Sequence, residues 1–187
     1  QRRCKINRRR FLKYASATAA VAGASAFGLD ILRHSSNTFS KANVMSTEFR
    51  LRGIIPALVT PFSAAGRLDE ESLREIVQFQ LRHKVHGLFP SGTTGMGPAM
   101  QSEERKRVAE IVVDEVRHRI PVVVQVGALD PTVNVELARH AEKIGAEAIA
   151  SLTPFYYHPD EAAIVEHYER LSKAIELPLL VYNIPSN

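Results

Sequence analysis

The chain has 187 residues, 45% of them hydrophobic, and one cysteine, so we expect one globular core and exclude both an internal disulfide and a cysteine-based zinc site. Seven of the 24 basic residues precede Tyr14, so the residues after position 26 carry 17 basic against 20 acidic side chains, a net charge of −3. The basic character therefore belongs to the first residues, and a nucleic-acid partner is not expected.

The first 30 residues have the layout of a signal peptide. Residues 1–13 are basic, and Tyr14–Leu29 is an alanine-rich, weakly apolar run that is short for a membrane span. Residues 8–13 (Arg-Arg-Arg-Phe-Leu-Lys) resemble the twin-arginine export motif, and residues 24–26 (Ala-Ser-Ala) suit cleavage.

We therefore expect a twin-arginine-like signal peptide over residues 1–30 and a linker over residues 31–51. The mature protein would leave through the twin-arginine export machinery and reside in the periplasm or outside the cell. A cytoplasmic protein with a basic amphipathic extension is the alternative.

From Arg52 onward, short β-branched runs alternate with amphipathic helical patterns. Helices are predicted from a cap at Asp69 to Lys84, from a cap at Ser102 to Arg119, from Pro131 to Gly145 and from Asp160 to Ile175. Strands are predicted at Ile54–Thr60, Gly87–Pro90, Pro121–Val126, Ala148–Leu152 and Leu179–Tyr182. The charged run at residues 103–107 is expected to be a solvated helix face.

The strands begin at intervals of roughly 30 residues, which is the size of one βα unit. Strict alternation predicts a parallel α/β sheet, and no glycine-rich dinucleotide fingerprint follows the first strand. This favours a (β/α)8 TIM barrel over a doubly wound sheet. Since a full barrel takes about 250 residues, we expect residues 52–187 to be its N-terminal part, truncated after about the fifth strand.

Chemistry in such a barrel lies where the strands end, and the most informative strand end is Gly92-Thr93-Thr94-Gly95. The glycines allow a sharp turn and a close approach of the backbone to a ligand, while the threonines place hydroxyl groups beside backbone N–H groups. This arrangement suits a small carboxylate. A plain strand-to-helix connection is the alternative.

Four motifs resemble the dihydrodipicolinate synthase and N-acetylneuraminate lyase family. They are residues 57–62 (Ala-Leu-Val-Thr-Pro-Phe), 92–95, 153–157 (Thr-Pro-Phe-Tyr-Tyr) and 182–185 (Tyr-Asn-Ile-Pro). The resemblance implies a class I aldolase on a (β/α)8 barrel, in which a lysine forms a Schiff base with pyruvate and a carbon–carbon bond to an aldehyde is made or broken. No separate cofactor is implied, because that lysine, on a sixth strand beyond Asn187, carries the covalent intermediate.

Within the same family, a sialic acid lyase or a 2-keto-3-deoxy sugar-acid lyase is an alternative. A secreted barrel that binds a keto acid without turnover is the non-enzymatic alternative. The sequence between residues 1 and 187 does not separate them, because the expected nucleophile is not within it.

The resemblance also implies roles for individual residues. Thr93 and Thr94, together with Gly95, correspond to the clamp for the pyruvate carboxylate, and Thr93 also relays protons to a tyrosine. Tyr182 corresponds to the general acid/base beside the Schiff base. Tyr156 corresponds to a tyrosine that enters a neighbouring subunit's site, which implies a homo-oligomer, expected to be a tetramer.

Two positions depart from the family pattern. Met96 stands where many members have Glu, next to the carboxylate clamp, and Asn187 stands where dihydrodipicolinate synthases carry an arginine for the second substrate's carboxylate. An uncharged amide cannot replace the bidentate fork of a guanidinium. The scattered histidines lack the paired spacing of metal ligands, so no metal is expected.

Overall fold

The computed structural model describes residues 49–156 and 159–184. The expected signal peptide at residues 1–30 and most of the expected linker at residues 31–51 lie outside these ranges, as does Asn187. Within these two ranges, no helix has the length and apolar character needed to cross a bilayer.

Helices form where the sequence places a cap before an amphipathic run. Asp69 accepts a hydrogen bond from the backbone N–H of Ser72 at 3.1 Å, and Asp130 and Asp160 cap two later helices in the same way. The described residues contain the helices α1 (Glu70–Arg82), α2 (Ser102–Val116), α3 (Pro131–Lys143) and α4 (Glu161–Ala174).

Two predicted helix ends and one predicted cap are wrong. The N-cap of α2 is Gln101, whose backbone N–H donates to Glu104 Oε2 at 2.9 Å, and not Ser102. The helix ends at Val116, because Arg117 already has a left-handed φ of 50°. At the end of α1, Lys84 has a φ of 55° and lies outside the helix for the same reason.

The regular sheet has three parallel strands in sequence order, β1 (Val123–Gln125), β2 (Ala148–Leu152) and β3 (Leu179–Tyr182). In their register, Gln125 pairs with Ala150 and Ala150 with Leu180. The predicted third, fourth and fifth strands are therefore confirmed, with the third shorter than expected.

The predicted first and second strands are not regular strands. Each makes isolated parallel bridges, Ala57 with Phe89 and Leu88 with Val122. Pro56 and Pro90 have no N–H to donate, so a continuous ladder cannot form through them. The bridges nevertheless place the two segments beside β1, so five parallel segments follow one another in chain order.

The sheet has two different faces. On one face Leu88, Val122 and Ile149 pack with helix residues such as Leu73 and Ile111 in the main core. The other face carries a smaller cluster built from Val123, Ala148 and Ala150, against which Phe89 and Leu180 pack. Alternation of side chains along each strand produces this division, and the second face is where the candidate site lies.

Candidate functional site

An open cavity of about 330 Å³ lies on the smaller face of the sheet. Its lining is apolar, with residues such as Phe89 and Ala150, apart from three polar side chains: Thr93, Thr94 and Tyr182. A mainly apolar cavity with a few converging polar groups is the usual form of a small-molecule site. Three predicted site residues from different segments are therefore brought together.

A second groove, of about 400 Å³, lies between α3 and α4. Its charged side chains pair with one another, as Lys173 does with Glu169 at 2.8 Å and Arg170 with Glu166 at 3.6 Å. These are exposed i,i+4 pairs on a helix surface. We therefore place the candidate site at the smaller cavity, which contains the converging polar groups.

The turn from Gly92 to Gly97 is compact and depends on glycine. The backbone N–H of Gly97 donates to the carbonyl of Gly92 at 3.0 Å. A Cβ atom at Gly97 would lie 1.8 Å from the carbonyl oxygen of Ser91, and one at Gly95 would lie 2.6 Å from that of Leu58. The turn can close only because these positions lack side chains.

Thr93 and Thr94 are exposed at this turn. Within the described ranges, neither hydroxyl nor either backbone N–H has a hydrogen-bond partner. The two hydroxyl groups and the two backbone N–H groups at these positions are therefore available as hydrogen-bond donors, the kind of group that binds a carboxylate.

The turn is strained and is anchored from a neighbouring segment. Ser91 and Met96 have φ values of 60° and 57°, in the left-handed region that non-glycine residues seldom occupy. The hydroxyl of Thr60 donates to the carbonyl of Gly95 at 2.7 Å in a buried hydrogen bond. Thr60 therefore anchors the turn beside Met96.

Tyr182 ends β3 and points to the same face as Val123 and Ala150. Its ring meets the Phe89 ring edge to face, at a centroid distance of 5.6 Å. Its hydroxyl accepts and donates no hydrogen bond within the described part of the chain. This hydroxyl is therefore open to a ligand in the cavity.

The structure does not bring Tyr156 to this cavity. Tyr156 follows β2 and is 71% exposed, and it is not among the residues that line the cavity with Thr93 and Tyr182. A role for Tyr156 in a neighbouring subunit's site stays a prediction.

Arg105 is buried, contrary to the prediction from the sequence. It was expected on a solvated helix face, but it is 4% exposed. Its guanidinium donates to the carbonyls of Gly127 and Gln125 at 3.0 and 2.8 Å and to Gln125 Oε1 at 2.7 Å. Burial lowers the pKa of Arg105 to about 10, so the group remains a cation at neutral pH. Its spacing from the buried Val108 and Val112 could have revealed this position.

A buried serine–histidine pair lies on the helix side of the sheet. Ser151 Oγ is 3.0 Å from His167 Nε2 and donates to the carbonyl of Leu152, and the Tyr168 hydroxyl donates to the carbonyl of Ser151. Burial lowers the pKa of His167. The neighbouring residue Ala150 faces the cavity, so the pair faces α4 and is structural. Across the described residues, no group of three or more His, Cys, Asp or Glu side chains could hold a metal ion.

Sequence and structure comparisons relate this chain to one family of known proteins. The sequence profile of the dihydrodipicolinate synthetase family matches residues 50–187. The 4-hydroxy-tetrahydrodipicolinate synthase of Bartonella henselae is 41% identical over 136 residues, which are 73% of this chain and 46% of that protein. The chain thus spans about half the length of the curated relatives it matches.

Two solved structures share the fold. One is YagE, a prophage protein of the dihydrodipicolinic acid synthase family from E. coli K12 in complex with pyruvate, with a TM-score of 0.70, 33% identity, and coverage of 72% of this chain and 45% of that one. The other is CdNal from Clostridium difficile in complex with mannosamine, with a TM-score of 0.72, 34% identity, and coverage of 74% and 48%. The structural neighbours are TIM barrels, and the described residues share their α/β architecture over 72–74% of this chain.

Proposed function

Because the chain belongs to the dihydrodipicolinate synthetase family, we propose that the whole protein is a Schiff-base-forming class I aldolase or lyase acting on pyruvate and an aldehyde. The observation that supports this most directly is the convergence of Thr93, Thr94 and Tyr182 on one otherwise apolar cavity. Such a cavity offers hydrogen-bond donors for a carboxylate together with a phenol for proton transfer.

In this proposal the turn holds the substrate and the phenol moves the proton. The N–H and hydroxyl groups of Thr93 and Thr94 bind the pyruvate carboxylate through charge-assisted hydrogen bonds. The Tyr182 hydroxyl donates a proton to, or accepts one from, the oxygen at the reacting carbon, with Thr93 as the relay.

The nucleophile in this proposal is a lysine beyond Asn187. Among the described residues, Lys106 and Lys173 lie on helices and pair with Glu136 and Glu169 on the outer surface. The lining of the cavity includes no lysine. No separate cofactor is needed, because an amine that condenses with the keto group of pyruvate supplies the electron sink.

A second candidate is a sialic acid or sugar-acid lyase of the same family. Two observations favour it over a synthase that uses an aldehyde bearing a carboxylate. Asn187 offers an amide in place of an arginine fork, and the chain resembles CdNal, which was solved in complex with mannosamine. A keto-acid-binding protein without turnover is the third candidate.

Borohydride trapping tests the proposal. The protein that contains this chain and its downstream residues is incubated with pyruvate, reduced with borohydride and weighed as an intact protein by mass spectrometry. A mass gain equal to one reduced pyruvate adduct is expected, and lactate, which lacks the keto group, should give none. If the mass of the folded protein did not change at saturating pyruvate, the aldolase proposal would be refuted, and the keto-acid-binding protein without turnover would be the remaining candidate.

We further propose that the protein is a homo-oligomer, and we expect a tetramer from its resemblance to the family. Met96, Leu129 and Tyr156 are exposed large apolar side chains in the connections after successive parallel segments. Such residues suit contact with a second copy. Light scattering of the whole protein after size-exclusion chromatography measures the assembly, and a monomer would contradict it.

Export is a separate proposal. Residues 8–13 and 24–26 support a twin-arginine-like signal peptide, and export of an already folded protein suits a slowly forming parallel sheet. We expect the mature protein to begin near Phe27 and to be found in the periplasm or outside the cell. Replacing Arg8 and Arg9 with Lys should retain it in the cytoplasm, and a wild-type protein found there uncleaved would refute the proposal.

A further inference from the structure

One residue of β1 is hydrogen-bonded to both ends of the loop that carries Thr93 and Thr94. The backbone N–H of Gln125 donates to the carbonyl of Pro90 at 3.2 Å, immediately before the loop. The carbonyl and Oε1 of the same Gln125 accept from Arg105 Nη2 at 2.8 and 2.7 Å, in the first turns of α2. The chain between Pro90 and Arg105 is thus closed on a single residue.

Arg105 is an unusual choice for a helix position that faces a core. It is 4% exposed and Gln125 is 1% exposed, and within the described residues no carboxylate pairs with the guanidinium. A buried cation is costly unless its donors are satisfied, whereas an apolar side chain could fill the same position without that cost. Arg105 Nε is buried without a partner among the described residues, but the two hydrogen bonds to Gln125 in β1 and the one to Gly127 just after it are a contribution that an apolar side chain could not make.

The loop itself needs such a constraint. Ser91 and Met96 are held at left-handed φ values, and conformations of this kind persist only where the surrounding structure determines them. The bond from Thr60 to the carbonyl of Gly95 fixes the middle of the loop, and Gln125 fixes its beginning. Arg105 fixes the end.

We propose that Arg105 is a positioning residue for the carboxylate clamp: by tying the end of the loop to Gln125 and Gly127, it holds the donor groups of Thr93 and Thr94 in place for a ligand. The inference rests on the proposed function for the identity of the ligand, pyruvate, but its structural part concerns the order of the loop alone. Arg105 acts through the turn and touches no substrate.

The test compares Arg105→Met with Arg107→Met in the whole protein. Arg107 lies on the same helix but on its exposed side, where it pairs with Glu70 and Glu110, so the same exchange there is a matched control. We expect Arg105→Met to raise the KM for pyruvate about tenfold, with a smaller change in kcat, because a displaced binding group weakens the bound state. Arg107→Met should leave both constants unchanged.

Arg105→Lys is the second variant, since it keeps a buried cation but has no planar fork. It should fall between the wild type and Arg105→Met, and millimolar guanidinium added to Arg105→Met should restore part of the affinity. If the KM for pyruvate were the same in Arg105→Lys, Arg107→Met and the wild type, the inference would be overturned.

Hydrogen exchange separates this inference from the proposed function, because it needs no substrate. The backbone N–H groups of residues 92–97 should exchange several-fold faster in Arg105→Lys and Arg105→Met than in Arg107→Met. Unchanged exchange would overturn the positioning role even in a protein that binds pyruvate. If residues 92–97 exchanged faster in the Arg105 variants but the protein bound no pyruvate, the positioning role of Arg105 would be supported and the aldolase proposal would be refuted.

Discussion

The Tyr182 ring stands edge-on to the Phe89 ring, with the two ring planes at 82° and their centroids 5.6 Å apart. This contact connects the end of β3 with the segment that leads into the Gly92–Gly97 turn. Within the described residues no hydrogen bond fixes the phenol, so aromatic packing orients it. Phe89 thus packs against the Tyr182 ring and also leads directly into the turn that carries Thr93 and Thr94.

Tyr182→Phe should reduce kcat by about 10²-fold or more, the usual contribution of a general acid/base, with little change in pyruvate affinity. Phenylalanine keeps the ring and its contact with Phe89 but has no proton to transfer. Steady-state kinetics of the whole protein measures the effect.

Tyr168→Phe is the matched control for this substitution, because that hydroxyl donates to the carbonyl of Ser151 on the helix side of the sheet. We expect it to cost about 1 kcal/mol of stability, the net value of one hydrogen bond, and to leave kcat unchanged. If the two variants had equal kcat, the role of Tyr182 would be refuted.

Thr94→Val should weaken pyruvate binding, because it removes one hydroxyl donor and keeps the branched shape. A hydrogen bond to a charged group contributes about 1.5–3 kcal/mol, so the dissociation constant should rise at least tenfold. Isothermal titration calorimetry with pyruvate provides the measurement. Thr132→Val, in the first turn of α3, is the control. If the dissociation constants for pyruvate of Thr94→Val and Thr132→Val agreed within twofold, the proposed carboxylate-binding role of Thr94 would be contradicted.

Gly97→Ala should disrupt the turn, because its Cβ would lie 1.8 Å from a backbone oxygen that cannot move aside independently. We expect loss of measurable pyruvate binding and a lower melting temperature. Gly66→Ala is a suitable control: its φ is +71° but nothing lies within 4 Å of the added carbon, so only backbone strain of about 1–2 kcal/mol is introduced. Normal pyruvate binding by folded Gly97→Ala would show that the turn can adopt another conformation.

His167 should make the protein less stable in mild acid. Burial holds the pKa of His167 below its ordinary value of about 6.5, so the unfolded chain binds this proton more readily than the folded chain. Stability is therefore complete above about pH 6.5 and falls as the pH decreases toward the lowered pKa of the folded state. A hydrogen bond with the Leu152 backbone partly opposes this effect on the pKa, and the nearby Arg170 cation adds to it. The other close groups, Ser151 and Tyr168, are neutral.

Urea denaturation at about pH 7.5 and about pH 5.5 measures this dependence. His167→Gln should reduce the difference between the two conditions, whereas His118→Gln, at an exposed site, is the control for a general effect of the exchange. An identical pH dependence in wild type and His167→Gln would contradict the assignment.

Local patterns predicted the parts of the fold that local forces determine. Asp69, Asp130 and Asp160 identified helix starts because an aspartate cap acts within three residues. β2 and β3 were predicted at their observed bounds because they are short apolar runs. The turn with Thr93 and Thr94 was found because its glycines mark a close approach of backbone segments.

Features that depend on distant partners were harder to predict. The apolar runs around Pro56 and Pro90 looked like strands, but regular pairing depends on backbone N–H donors that these prolines lack. Arg105 was assigned to solvent because charged runs are usually exposed, and its acceptors lie 20 or more residues away on β1. Tyr156 was predicted to act in a neighbouring subunit's site, and its separation from the cavity within this chain leaves that role a prediction.

Met96 occupies a left-handed backbone conformation with its side chain 51% exposed. Glycine at this position would release strain of about 1 kcal/mol or more, so the wild-type sequence is not the most stable one that this turn could have. The turn is therefore a place where directed evolution for heat resistance would readily find a gain. Glycine at position 96 would also make the backbone next to Gly95 more flexible. We therefore expect variants selected there for heat resistance to be more stable and less active.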